Sequence, residues 1–115
     1  MIVKFYDQVE DEKLKFAVIA ARAEGKWVFC KHKARTTFEM PGGHREPGEP
    51  ILDTARRELQ EETGATAFDL QSVCVYSVTD SDNFDGAETY GLLCTAQVHA
   101  FGPIDSEMEK IVLTA

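Results

Sequence analysis

The chain has 115 residues, of which 12 are Lys or Arg and 20 are Asp or Glu, so its formal net charge at pH 7 is −8. This acidity argues against binding to duplex nucleic acid or to an anionic membrane, because phosphate groups attract basic surfaces. No apolar run approaches the roughly 20 residues of a membrane-spanning helix, and the N-terminus lacks the apolar stretch of a signal peptide. We therefore expect one cytoplasmic domain over residues 1–115.

Two strands and a short β-prone segment are predicted in the first part of the chain. Residues 14–22 form an apolar run with β-branched members, and residues 27–31 form another, with a turn at Gly25 between them. Residues 36–40 are also β-prone, and the Gly- and Pro-containing stretch 41–49 that follows is predicted to be a loop.

A helix is predicted over residues 51–63, where good helix formers follow Pro50. Pro50 suits the first helical position, because its missing N–H has no partner there in any case. Gly64 suits a left-handed cap at the C-terminal end. One side of this helix carries the apolar residues expected to pack on a sheet, namely Leu52, Ala55 and Leu59.

Strands are predicted again after the helix, over residues 70–79, 89–100 and 111–114, with a polar loop at 80–88. Strands on both sides of one helix indicate an α+β fold with a mixed sheet, not a repeating βα array. The three cysteines are widely spaced and form no CxxC pair, so they predict neither a zinc site nor a redox dithiol. Cys30 and Cys94 lie in apolar runs, where we expect buried, reduced thiols.

Three carboxylates share one stripe of the predicted helix. Glu58, Glu61 and Glu62 stand at positions i, i+3 and i+4, where like charges repel each other and weaken an isolated helix. A bound divalent cation would remove that repulsion and use the carboxylates as oxygen ligands. The alternative is an acidic helix face that is solvated and has no further role.

The residues around the helix favour the cation site. Gly42 and Gly43 carry no Cβ, so a backbone carbonyl there can approach a metal ion or a phosphate closely. Glu49 stands just before the helix, and Arg57 stands four residues before Glu61. Arg57 can hold Glu61 or Glu49 in one geometry; otherwise it forms an ordinary surface ion pair.

These residues together resemble the Nudix box, GX5EX7REUXEEXGU, in which U is an aliphatic residue. Gly43, Glu49, residues 57–59, residues 61–62 and residues 64–65 fill its specified positions, and only the last aliphatic position holds a small residue, alanine. The resemblance implies the Nudix fold, an α/β/α sandwich with a mixed β-sheet and a loop–helix–loop box. It also implies Mg²⁺- or Mn²⁺-dependent hydrolysis of a nucleoside diphosphate linked to another moiety.

The resemblance further implies roles for individual residues. Glu58 matches a position proposed as general base, Arg57 and Glu49 match the pair that orients the site, and the carbonyl of Gly42 matches a metal ligand. The cation-holding carboxylates of the box correspond to Glu58, Glu61 and Glu62. Family members use a further carboxylate outside the box, for which Glu107 is the first candidate and Glu109 the second; either is otherwise a surface residue.

The segment before the box, residues 38–44, resembles the lead-in of MutT-type members, which release pyrophosphate from nucleoside triphosphates such as 8-oxo-dGTP. By this resemblance Phe38 lies near the base; the alternative is a position in the core. Three cationic residues are candidates for contacting phosphates, namely Lys31, Lys33 and Arg35. The alternative is that they lie on a solvated strand edge and have no such role. Gly43 completes the candidate substrate-binding set.

Three functions remain open at this point. The first is MutT-like pyrophosphohydrolysis, and the second is action on ADP-ribose, a sugar nucleotide or a 5′-triphosphorylated RNA end. The third is a non-catalytic module that binds nucleotides, against which the complete box argues.

Family members continue into a second helix after the last strand, whereas this sequence ends at Ala115. We therefore expect either an incomplete pocket or a homodimer that covers the sheet.

Overall fold

The protein is described by a computed structural model that covers residues 2–79, 87–104 and 108–114. Seven strands, one α-helix and one 3-10 turn follow each other along these residues. In chain order they are β1 (Ile2–Tyr6), the 3-10 turn (Asp11–Lys13), β2 (Leu14–Ala23), β3 (Lys26–His32), β4 (Gly42–His44), α1 (Ile51–Thr63), β5 (Ala65–Thr79), β6 (Glu88–Phe101) and β7 (Met108–Thr114).

All seven strands belong to one sheet, and its mixed character confirms the prediction. Its order is β1-β5-β6-β2-β3-β7, and the short β4 pairs with β2 beside this path. The central pair β2 and β6 runs parallel, whereas the other pairs are antiparallel. The parallel pair needs a long connection, and α1 lies within it.

The core lies between α1 and one face of the sheet. Along β2, Ala17 and Ile19 alternate with more exposed residues, and both are fully buried. They join Ala55 and Leu59 of α1 in the same apolar cluster, against which Leu52 is partly buried. The predicted apolar side of the helix is confirmed, and the glutamates stand on the edge that adjoins it.

Both ends of α1 follow local chemistry. Gly64 caps the helix in the left-handed conformation, with φ 76° and ψ 12°, and its N–H donates to the carbonyl of Gln60. This confirms the predicted cap, because such a φ is readily adopted only by glycine. Pro50 has an extended conformation and is the N-cap. It therefore stands just before the helix and does not occupy the first helical position, which is Ile51.

The segment before the helix was predicted incorrectly. Residues 36–40 form no strand, and only Glu39 makes an isolated bridge, to Cys30. Instead β4 lies inside the predicted loop, where Gly42 pairs with Val18 and His44 with Phe16. This pairing depends on contacts with a distant strand. The local Gly-Gly sequence does not indicate a strand, because glycine has a low β propensity.

The remaining strands extend beyond their predicted bounds. The edge strand β1 was not predicted, and it forms by pairing with β5. β5 begins at Ala65, directly after the helix cap, and β7 begins at Met108. Cys30 and Cys94 are buried, as expected.

One layer of the expected sandwich is present in the described part of the chain. The described residues contain a single α-helix, which covers the sheet face that carries Ala17. On the opposite face of the sheet, Val18 and Ala20 are half-buried. The second helical layer implied by the family resemblance is not among the described residues. Within them, no helix is long and apolar enough to cross a membrane.

Candidate functional site

The two glycines of β4 lie against two of the box glutamates. The N–H of Gly42 donates to Oε1 of Glu62 at 2.7 Å. A Cβ built on Gly43 would overlap the carboxylate of Glu58. Because β4 pairs with β2 and α1 packs on the same sheet, the fold brings the glycine pair and these carboxylates together.

Arg57 connects the loop before the helix with the glutamates on the helix. Its Nε and Nη2 donate to the two carboxylate oxygens of Glu49 at 2.8 and 3.1 Å. Its Nη1 donates to Glu58 Oε1 at 2.6 Å and lies 3.4 Å from Glu61 Oε2. Nη2 also donates to the carbonyl of His44 at 3.0 Å. One guanidinium therefore fixes Glu49, Glu58 and the end of β4 relative to each other.

Glu49 is held from a second side by a residue that the sequence did not suggest. The hydroxyl of Thr54 is fully buried and donates to Glu49 Oε1 at 2.7 Å. The hydrogen bonds from Arg57 and then Thr54 lower the pKa of Glu49 to about 2. Glu49 is therefore an anion that stays ionised and stays in place at neutral pH.

Arg45 is a second residue that the sequence analysis missed. Its Nε donates to the carbonyl of Glu49 at 2.6 Å, and its Nη1 donates to the carbonyls of Asp11 and Leu14 at 2.8 and 3.2 Å. Its Nη2 pairs with the Asp11 carboxylate at 2.8 Å. Arg45 thereby ties the loop that carries Glu49 to the beginning of β2.

Burial raises the pKa of two box glutamates. For Glu62 burial is the main cause, the negative charge of Glu58 adds to it, and the bond from Gly42 opposes it; the resulting pKa is about 7. Burial likewise raises the pKa of Glu58, against the opposing effect of Arg57. Two partly desolvated carboxylates close to each other favour an additional positive charge, either a proton or a cation.

The donor set fits a hard divalent cation in its chemistry. Glu58, Glu61 and Glu62 offer carboxylate oxygens, which Mg²⁺ and Mn²⁺ prefer, and the backbone of Gly42 adjoins them. As the side chains stand, no three acidic, His or Cys side chains among the described residues are grouped to hold a metal ion. Glu58 contacts Arg57, Glu62 contacts Gly42, and the side chain of Glu61 is 48% exposed.

The predicted substrate-binding cations are paired with carboxylates. Lys31 of β3 pairs with Glu109 of β7 at 3.1 Å, and Arg35 pairs with Glu39 at 2.7 Å. The ring of Phe38 is 44% exposed, so it does not belong to the core, and Lys110 lies over it at 5.7 Å. Glu107, the first candidate for the additional carboxylate, lies outside the described residues.

Comparisons with known proteins agree on one family. The profile of the NUDIX domain matches residues 11–112. YtkD of Bacillus subtilis strain 168, named as an 8-oxo-dGTP diphosphatase, is 37% identical over 76 residues, which are 66% of this chain and 48% of YtkD. An ADP-ribose pyrophosphatase of the same organism is 44% identical over 64 residues, which are 52% of this chain and 35% of the relative. The chain thus spans about half or less of these curated relatives.

The fold has a close match among solved structures. The crystal structure of the Bacillus subtilis pyrophosphohydrolase BsRppH, in a mutant form, superposes with a TM-score of 0.82 and 28% identity. The match covers 96% of this chain and 70% of that one.

Proposed function

The chain belongs to the NUDIX family, and from this premise we propose that it is a pyrophosphohydrolase acting on a nucleoside diphosphate-linked substrate. The proposed reaction converts a nucleoside triphosphate and water into a nucleoside monophosphate and pyrophosphate, breaking one phosphoric anhydride bond. The observation that carries this proposal is the arrangement of Glu58 and Glu62 against the Gly42–Gly43 backbone, with Arg57 fixed on Glu49. The names of the matched relatives support the same reaction class.

Glu58, Glu61 and Glu62 are the residues proposed to hold the cation, Mg²⁺ or Mn²⁺, together with the Gly42 carbonyl. When bound, such an ion offsets the negative charge of the diphosphate and polarises its phosphorus–oxygen bonds. A cation is needed because the chain itself carries −8 and would otherwise repel a polyanion.

The protein groups supply position and a base. The Arg57–Glu49 pair holds the guanidinium beside Glu58, so the carboxylates keep a fixed direction. Glu58 is the proposed general base, which accepts a proton from the water that attacks phosphorus. Its burial raises its pKa and thereby makes it a better base than an exposed glutamate.

Activity is tested with a panel of nucleoside triphosphates and Mg²⁺, detecting pyrophosphate as phosphate after added pyrophosphatase. Glu62→Gln is expected to lower turnover by orders of magnitude while the fold is retained. Glu24→Gln makes the same chemical change at an exposed turn and is expected to keep wild-type turnover. Near-full Mg²⁺-dependent activity in Glu62→Gln would contradict the proposed ligand assignment.

We propose 8-oxo-dGTP or a related oxidised nucleotide as the first substrate to examine, on the strength of the residue 38–44 segment and the likeness to YtkD. The likeness to an ADP-ribose pyrophosphatase makes ADP-ribose the second. The products separate the two, because a triphosphate yields pyrophosphate whereas ADP-ribose yields AMP. Inactivity on every diphosphate, with both Mg²⁺ and Mn²⁺, would favour a non-catalytic nucleotide-binding module.

A further inference from the structure

A cavity of about 680 Å³ lies outside the carboxylate site, between the 3-10 turn, the beginning of β2, the end of β4 and the beginning of β6. Its volume falls within the range of small-molecule sites. The lining residues used below are Lys13, Lys15, His44, Arg45, Glu88 and Tyr90.

The cavity adjoins the proposed catalytic site through His44. This residue follows Gly43, whose backbone lies against Glu58, and the His44 carbonyl accepts a hydrogen bond from Arg57 at 3.0 Å. A ligand whose diphosphate lies at the box glutamates can therefore extend past His44 into the cavity.

The cavity lining includes several cationic residues. Lys13 pairs with Glu10 at 3.2 Å, and Arg45 pairs with Asp11 at 2.8 Å. In contrast, the side chains of Lys15 and His44 are exposed and have no hydrogen bond or ion pair to another residue of the described part of the chain. In a chain of charge −8, an exposed ammonium that has no carboxylate partner among the described residues favours a phosphate group.

The cavity lining also includes a fixed carboxylate next to an aromatic ring. Glu88 Oε2 accepts hydrogen bonds from the hydroxyls of Tyr6 and Ser77, whereas among the described residues Oε1 accepts one, from Tyr90 at 2.7 Å. A carboxylate oxygen accepts two, so Oε1 retains a position for one N–H donor. The ring of Tyr90 lies beside it, 5.6 Å from the ring of Tyr6, and the exposed ammonium of Lys13 lies over it at 5.8 Å.

We propose that this cavity binds the nucleoside part of the substrate. Lys15 and His44 face the phosphate that joins the sugar, and Glu88 Oε1 accepts a hydrogen bond from a base N–H. The base lies against Tyr90 in the place of the exposed Lys13 ammonium. This proposal rests on the proposed pyrophosphohydrolase function and names the residues that would recognise its substrate.

The first experiment compares two charge reversals. Lys15→Glu is expected to raise KM for GTP at least tenfold with little change in kcat, because it removes an attraction for the ground-state anion. Lys26→Glu produces the same net charge at an exposed position of the β2–β3 hairpin, outside the cavity, and is expected to keep the wild-type KM. Equal KM values for the two variants would overturn the proposal.

The second experiment separates the nucleoside from the phosphates. Tyr90→Ala is expected to raise KM for GTP but not KM for inorganic tripolyphosphate, which has no base to lie on the ring. Tyr76→Ala removes a half-buried tyrosine from a neighbouring strand outside the cavity, and it is expected to leave the ratio of the two KM values unchanged. An unchanged ratio in Tyr90→Ala would refute the assignment.

A third measurement distinguishes failure of this inference from failure of the proposed function. If the wild-type chain hydrolyses no nucleotide, the proposed function fails, and GMP is titrated into ¹⁵N-labelled protein instead. Saturable shifts at the amides of His44 and Thr89 that vanish in Lys15→Glu would support the cavity as a nucleotide site. Absence of shifts at both amides would overturn it.

Discussion

Gly43 lies so close to Glu58 that a single methyl group on residue 43 would occupy the space of the Glu58 carboxylate. The carboxylate is 13% exposed and is bonded to Arg57 on its other side, so it has little freedom to move away. The glycine at the start of the box thus determines where this glutamate stands, beyond its role in the turn.

Gly43→Ala is expected to displace Glu58 and to lower kcat about 100-fold, since a displacement of about 1 Å at a reacting group has effects of this size. The double variant Gly43→Ala/Glu58→Ala removes the overlap, so its midpoint of thermal unfolding should exceed that expected from the two single variants. Circular dichroism and a four-variant stability cycle check this. Additive stability changes would show that the two residues do not contact each other.

Arg45→Met is expected to destabilise the fold and to impair the site together. The variant loses donors to three backbone carbonyls and one carboxylate, and the expected loss in the free energy of unfolding is about 1–3 kcal/mol. Because the loop then holds Glu49 less firmly, kcat should fall while KM changes little. Urea unfolding and steady-state kinetics measure the two effects.

Asp11→Asn is the matched control for Arg45. It weakens only the ion pair, whose carboxylate is 68% exposed, so the expected cost is below about 1 kcal/mol. The backbone carbonyls remain bonded to Arg45, and kcat should stay at the wild-type value. A kcat loss in Asp11→Asn equal to that in Arg45→Met would assign the effect to the ion pair and not to the loop.

Local signals in the sequence were sufficient for the helix and its cap. Residues 51–63 combine good helix formers with a cap glycine, and these preferences operate within one or two turns. The placement of Glu58, Glu61 and Glu62 along one helix edge follows from helical periodicity alone.

Contacts between distant segments were beyond the reach of such signals. β4 forms only because β2 offers hydrogen-bonding partners to Gly42 and His44. Arg45 contacts Asp11, which is 34 residues away, and no pattern near Arg45 indicates that pair. Lys31 and Arg35 were predicted from their charge, but their pairing with Glu109 and Glu39 depends on the conformation of the folded chain.

Acid should remove the contribution of Glu88 to stability. Hydrogen bonds from Ser77, Tyr6 and Tyr90 lower the pKa of Glu88 to about 2, from an ordinary value of 4.5. A lowered pKa stabilises the fold above pH 4.5, and this stabilisation is lost as the pH falls towards 2.

The Glu88→Gln variant separates the contribution of this carboxylate to the pH dependence of stability from that of other groups that titrate in the same range, such as Glu49. The difference in the free energy of unfolding between wild type and variant should be larger at pH 6 than at pH 3, as measured by urea unfolding. A difference independent of pH would show that the Glu88 charge does not stabilise the junction of β1, β5 and β6.

Mg²⁺ should stabilise the protein, and more so at pH 8 than at pH 6. The pKa of Glu62 is raised to about 7, so without a cation its ionisation costs stability as the pH rises from 4.5 to 7. A proton competes with Mg²⁺ for this carboxylate at pH 6, whereas at pH 8 the ionised group is ready to bind. At 100 times its Kd, a cation that binds only the folded state contributes about 2.7 kcal/mol.

Thermal unfolding in MgCl₂ and in EDTA measures this effect. Glu62→Gln should abolish most of the Mg²⁺-induced rise in Tm and should itself unfold at a higher temperature than wild type in EDTA at pH 8, because it removes a buried charge. Glu24→Gln should keep the Mg²⁺ response of the wild type, since residue 24 is exposed. If Mg²⁺ raises the Tm of Glu62→Gln as much as that of Glu24→Gln, the cation binds without Glu62, and the link between the raised pKa and metal binding fails.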